Sequence, residues 1–125
     1  MDRPTLQRWL DGYVTSWRSN DAAAIGELFT ADAEYRYHPA DEPVYGRDEI
    51  VASWLEEPDD PGTWDAWYEP FAVDGDRAVA TGVSTYFGAD GKPERVYDNV
   101  FVMEFDGEGR CKAFTEWFRQ RAAAG

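Results

Sequence analysis

One cysteine and one histidine in 125 residues leave little for covalent or metal chemistry to work with. A lone Cys111 can form no disulfide within the chain, and its place in a strand pattern reads as a small buried hydrophobe. Without a cysteine–histidine cluster there is no basis for a structural zinc site. Cations are scarce as well: 12 Lys and Arg stand against 25 Asp and Glu, for a formal net charge of −13. Nucleic acids and anionic membranes are held by Lys and Arg, so neither is an expected partner. The opening stretch MDRPTLQRWLDGY contains no long apolar run, which argues against a signal peptide and a membrane span. A soluble, cytoplasmic protein is expected, its acidity serving solubility.

Aromatic residues are plentiful: six Trp, seven Tyr and seven Phe in a chain that is 43% hydrophobic. That supply is enough for a real core in one domain spanning residues 1–125. Aromatics also often wall ligand sites.

Residues 4–19 carry Leu6, Trp9, Leu10, Tyr13, Val14 and Trp17 at helical spacing, with Pro4 in the first turn. Asn20 or Asp21 can stop this helix and cap the next, AAAIGELF, which buries Ala24, Ile25, Leu28 and Phe29. DAEYRYH alternates as a strand. PADEPVYG reads as a loop, and GRDEIVASWLEE returns to helical spacing. EEPDD reads as a solvated helix end and loop, and no metal or cofactor is expected. From residue 64 onward the pattern is strand: WDAWYEPFAV, RAVATGVSTYF, RVYDNVFVMEF and CKAFTEWFRQ, joined by tight turns, with a frayed tail RAAAG. The order predicts an α+β fold, a curved and mainly antiparallel sheet covered on one side by three helices and shaped as a cone. The mouth of such a cone is a natural ligand site.

The helical start ending in SNDAAAIGELFTADAEY, the GRDEIVASW helix, and the last hairpin with N-V-F before DGEGR and TEWF resemble the nuclear transport factor 2-like superfamily and its SnoaL-like proteins. The resemblance covers nearly the whole chain and implies the cone-shaped fold. Members include dehydratases, isomerases, cyclases, epoxide hydrolases and non-catalytic binders, so fold alone does not give function. Laid over the steroid isomerases of that superfamily, Tyr13 matches the tyrosine that donates to the substrate oxyanion. Trp54, Tyr37 and Phe101 replace a supporting tyrosine, the aspartate base and a protonated aspartate. Loss of that base argues against the same isomerase chemistry. The overlay implies a cavity faced by Tyr13, Tyr35, Tyr37, Trp54, Asn99, Phe101, Met103, Phe114, Glu116 and Phe118; Trp17 and Phe29 complete the expected lining.

In the last hairpin Tyr97, Asn99, Phe101, Met103 and Phe105 share one face, and Phe114, Glu116 and Phe118 share another. A four-residue DGEG loop sets Asn99 opposite Glu116. A three-residue loop with Gly109 left-handed slips the register by one, unless a bulge restores the phase. Turn chemistry favours the second arrangement and the family overlay the first, which is the one adopted. A carboxyl walled by aromatics is costly to ionise and is usable as an acid or base near neutrality. Glu116 is therefore the expected catalytic acid/base and Asn99 its orienter, with the tyrosines polarising a substrate carbonyl or hydroxyl.

The expected function is binding of a small apolar or aromatic molecule, extending to cofactor-free isomerisation, dehydration or cyclisation. A binding module without chemistry and an interaction domain are the alternatives. His38, beside Asp41 and Glu42, reads as a loop residue with local bonds. Val100, Val102, Ala113, Thr115 and Trp117 form an apolar outer face that calls for cover, as in a homodimer.

Overall fold

The fold is a six-stranded mixed sheet with helices packed on its inner side, seen in a computed structural model that describes residues 1–122. The elements are α1 (Arg3–Ser19), α2 (Ala22–Glu27), β1 (Phe29–Arg36), β2 (Val44–Tyr45), α3 (Arg47–Glu56), β3 (Trp64–Asp74), β4 (Arg77–Phe87), β5 (Pro93–Phe105) and β6 (Cys111–Gln120). The sheet order is β2-β1-β6-β5-β4-β3, with β1 parallel to β6 and every other pair antiparallel. The expected α+β architecture is the observed one. Among the described residues no helix is long and apolar enough to cross a membrane.

Caps set the helix ends. Asp2 accepts from the Thr5 amide at the start of α1, and Asn20 closes it in the left-handed region, at φ 52°. Asp21 then accepts from Ala23 and Ala24 and begins α2. Each of the two residues does one of the jobs their position suggested. Two expectations are corrected nearby. Phe29 does not extend α2; it opens β1, because Leu28 already ends the helix. PADEPVYG is not all loop, since Val44 and Tyr45 pair with Tyr35 and Glu34 as an edge strand.

The Leu28 carbonyl joins three elements. It accepts from the Trp9 indole Nε1 at 3.0 Å and from the Cys111 amide at 2.8 Å. Helix α1 is also tied to the far edge of the sheet, where Arg3 and Gln7 donate to the carbonyls of Pro70 and Tyr68. Those bonds protect an edge strand that would otherwise offer free acceptors. Between them lies the core of Leu6, Trp9, Leu10, Ile25, Phe29, Ile50, Phe101, Met103, Phe105 and Phe114.

Strand β4 decides where that core stops. Its inward residues are Ala78, Ala80, Gly82 and Ser84, all small and all buried. Gly82 sits opposite Tyr68, and a Cβ there would stand 2.1 Å from the Trp67 carbonyl oxygen and 2.3 Å from the Tyr68 ring. Only glycine lets the Tyr68 ring fold across its neighbour strand. Large side chains on β3, β5 and α1 therefore meet a shallow strand, and they leave a space they do not fill.

The final hairpin departs from the expected register. Asn99 lies opposite Phe118, and Glu116 opposite Phe101. Gly109 is left-handed at φ 81°, as the turn chemistry required, and Phe105 pairs with Cys111. The pairing then jumps to Glu104 with Ala113, so Lys112 is an extra residue that restores the phase. The net slip from the adopted register is two residues. Asn99 and Glu116 keep a common face, but as diagonal and not direct neighbours. The expected fraying of the tail is corrected at Arg121, which bonds Asp98 through both Nε and Nη2, at 3.0 and 2.7 Å; residues 123–125 lie outside the described residues.

Candidate functional site

A cavity of about 540 Å³ opens between α1, α3 and the inner sheet face. That volume suits a small organic ligand. Its aromatic walls are Tyr13, Trp17, Tyr35, Tyr37, Trp54, Tyr68 and Tyr86, with Ser53, Ser84 and Glu116 between them. Asn20, Glu56, Glu57 and Asp59 complete the lining. Trp17 donates to Asp59 Oδ2 at 3.0 Å, which ties the loop after α3 to the end of α1.

Glu116 reaches this space because β6 turns alternate residues inward. Among the described residues no hydrogen bond reaches its carboxyl group. Burial alone raises its pKa from 4.5 to about 7. Its charge acts on five phenols, those of Tyr13, Tyr35, Tyr37, Tyr68 and Tyr86. Desolvation holds the Tyr13 and Tyr35 phenols well above their ordinary value and raises Tyr37 and Tyr68 also. Tyr86 is pushed up to about 12, again chiefly by burial. All five are neutral hydroxyls at physiological pH, able to donate.

The hydroxyls are paired. Tyr13 and Tyr35 meet at 3.1 Å, and Tyr37 meets Ser53 Oγ at 2.8 Å. Phe114 stacks on Tyr35 at 4.5 Å between ring centres and on Tyr13 at 5.7 Å, which fixes both rings from behind. In the Tyr13–Tyr35 pair one proton lies between the oxygens and the other is free for a ligand, whereas Ser53 donates onward to the Ile50 carbonyl at 2.9 Å and so takes the Tyr37 proton. Among the described residues the Trp54 indole Nε1 is buried without a partner.

The sequence-derived residues divide into groups. Tyr13, Trp17, Tyr35, Tyr37, Trp54 and Glu116 line the cavity. Phe29, Phe101, Met103 and Phe114 are buried in the core behind the wall and do not line it. Phe118 is 44% exposed and meets the His38 and Tyr97 rings near the end of β6, so it too is outside the cavity. Asn99 is buried, but its amide does not orient Glu116: Nδ2 donates to Ser84 Oγ at 3.0 Å and to the Tyr97 carbonyl at 3.3 Å. It positions Ser84, which lines the cavity beside Tyr68. His38 sits in a turn, its carbonyl accepting from the Asp41 amide.

Sequence reasoning passed over Tyr68, Ser84 and Tyr86. The signal was available: Asp65, Trp67 and Glu69 on one side of β3 leave Tyr68 on the other, and Ser84 and Tyr86 follow Ala78, Ala80 and Gly82 by steps of two. Among the described residues no group of His, Cys, Asp or Glu has the arrangement of a metal site. Burial pushes the Cys111 thiol up, away from reactivity.

The SnoaL-like domain profile matches residues 10–114. No curated protein matches the sequence. Among solved structures, a nuclear transport factor 2-like protein of unknown function from Burkholderia xenovorans LB400 superposes with a TM-score of 0.72 at 20% identity, covering 98% of this chain and 88% of that one. A candidate ketosteroid isomerase from Kribbella flavida DSM 17836 gives 0.71 at 18% identity, over 99% and 84% of the two chains. A second nuclear transport factor 2-like protein of unknown function, from Cytophaga hutchinsonii ATCC 33406, gives 0.62 at 16%, over 90% and 98%. At these identities the likeness is one of fold.

The raised carboxyl has a consequence for stability. Between pH 4.5 and about 7 the unfolded chain loses the Glu116 proton while the folded chain keeps it. Stability from this group is therefore full below pH 4.5 and falls as pH rises through about 7. Glu116→Gln does not titrate. Urea unfolding at a series of pH values is expected to show the variant gaining on wild type by up to roughly 3 kcal/mol across this window. A difference independent of pH contradicts the buried, unpartnered carboxyl.

Proposed function

The chain belongs to the SnoaL-like domain family, and from that premise we propose that it binds a small, mostly apolar molecule in the tyrosine-lined cavity and moves a proton within it, without a cofactor. The observation that carries this reading is Glu116, a carboxyl with a pKa near 7 and no hydrogen-bond partner, facing a cavity lined by neutral phenols. A carboxylate in that state takes a proton from carbon next to a carbonyl and returns it elsewhere on the same molecule. The Tyr13–Tyr35 pair supplies a donor for the oxygen on which negative charge then develops. Return of the proton to another carbon gives isomerisation. Return to a hydroxyl that departs as water gives dehydration. Asn99 and Ser84 hold the floor beside Tyr68 and take no part in the transfer.

The outer sheet face supports a second copy as partner. Trp67, Val100, Val102 and Trp117 stand 55, 36, 42 and 45% exposed on it. Around them the outward rows carry Arg77, Lys112 and Arg119 beside Asp65, Glu69, Asp74, Asp98 and Glu104. A two-fold pairing of this face sets its cations against its acids, on a chain of net charge −13.

Two measurements test these readings. Incubation in D2O with a panel of enolisable cyclic ketones, followed by proton NMR, is expected to show exchange of α-hydrogens. That exchange should fall by at least about a hundredfold in Glu116→Gln, with binding retained. Absence of exchange with binding intact leaves a binding protein and removes the enzyme. In sedimentation equilibrium, wild type is expected at twice 14.2 kDa and Trp117→Asp at 14.2 kDa; a wild-type monomer removes the dimer.

A further inference from the structure

The chemistry of the cavity lining is lopsided. Of its fourteen residues seven are aromatic and four are acidic, and none is Lys, Arg or His. The nearby cations are all engaged elsewhere. Arg95 lies over the Tyr86 ring at 4.6 Å and bonds the Tyr97 hydroxyl. Arg36 pairs with Glu34 at 3.6 Å, and Arg18 pairs with Asp65. The acid on the inner sheet face, Glu116, is left without a counter-charge.

Resting on the reading of this cavity as a ligand site, we propose that its ligand carries an alkylated ammonium group, seated among the ring faces against Glu116. A neutral ligand gains no charge–charge attraction from the four acidic residues, and an anion is repelled by them. A cation gains in three ways. The faces of Tyr and Trp rings carry negative potential, and desolvated cations over them are stabilised. The Glu116 carboxylate pairs with the ammonium in a low-dielectric space, where the attraction is strong. Glu56, Glu57 and Asp59 draw the cation in.

The phenol pair of Tyr13 and Tyr35 offers a donor, and it calls for an oxygen on the same ligand. The substrate class is then an amino ketone or amino alcohol. The bound ammonium also favours the ionised form of Glu116, which holds the ligand in place.

The pH response follows from the groups that face Glu116. These are the phenols of Tyr13 on α1, Tyr35 and Tyr37 on β1, Tyr68 on β3 and Tyr86 on β4, all raised by burial and neutral between pH 5 and pH 8. Glu56 on α3, with Glu57 and Asp59 in the loop that follows it, are the remaining charges. Cation binding is therefore strongest above about pH 7 and weakens below it, where a proton must leave Glu116 first.

The test uses an isosteric pair that does not titrate, 3-methoxyphenyltrimethylammonium and 3-tert-butylanisole, titrated calorimetrically into the wild-type chain at low salt and pH 8. The cation is expected to bind at least about tenfold tighter than the neutral compound. That preference should shrink in Glu116→Gln, and in wild type at pH 5, to the part that the ring faces and Glu56, Glu57 and Asp59 supply. Equal or tighter binding of 3-tert-butylanisole overturns the cationic ligand while the cavity stands as a ligand site. Failure of both compounds to bind overturns the cavity reading as well. A preference that persists unchanged in Glu116→Gln overturns the pairing with Glu116.

Discussion

A β-strand sends only alternate side chains to one face, and the candidate site rests on that constraint at a single place. Glu116 faces the cavity because β6 meets β5 with the right parity. The DGEG turn does not deliver that parity by itself, since its left-handed Gly109 sets Phe105 opposite Cys111. Lys112 adds one residue, and from Ala113 onward Phe114 and Glu116 point inward while Trp117 points out. Without the bulge, Glu116 would lie on the outer face and Trp117 would fill the cavity. The bulge costs one ladder pair and decides which chemistry the protein can have.

The hollow itself is a packing result. Alanine, glycine and serine along β4 cannot reach the helices, while Phe101, Phe114 and Tyr68 on the neighbouring strands can. The large rings lock one another: Phe114 stacks on Tyr35 and Tyr13, and Tyr68 packs on Phe101 at 4.5 Å. Each such ring is worth roughly 3–5 kcal/mol when buried, so the walls hold their positions without a filled centre. Trp17 stacked on Trp64 at 3.6 Å closes the α1 side. The burial that makes this stable also withdraws water from Glu116, and the shift of its pKa follows from the packing.

Much of the fold was legible because it is written in period. The spacing of Leu6, Trp9, Leu10 and Tyr13, the Asn20–Asp21 break and the four long strands all correspond to observed elements. The family read from the order of these pieces agrees with the profile match. The inward side of β5 and β6 was legible for the same reason. What stayed hidden depends on space and not on period. Whether a residue on the inner face lines a cavity or backs its wall is decided by neighbours from other strands, so Phe101, Met103 and Phe114 could not be told from Tyr35. Phe118 shares their parity but lies past the cover of the helices. The two-residue slip was hidden because turn and overlay each specify only part of the hairpin, and the bulge at Lys112 has no residue signature. The partner of Asn99 is Ser84, a residue 15 positions away whose role appears only when β4 and β5 pair.

The account depends most on a carboxyl group held away from water inside an accessible hollow. Carbon-13 NMR of selectively labelled Glu side chains, titrated from pH 3 to pH 10 and assigned by Glu116→Gln, reads that state directly. The account predicts a Glu116 resonance with its midpoint near 7. A Glu116 midpoint at 4.5 would place the group in solvent and contradict the site.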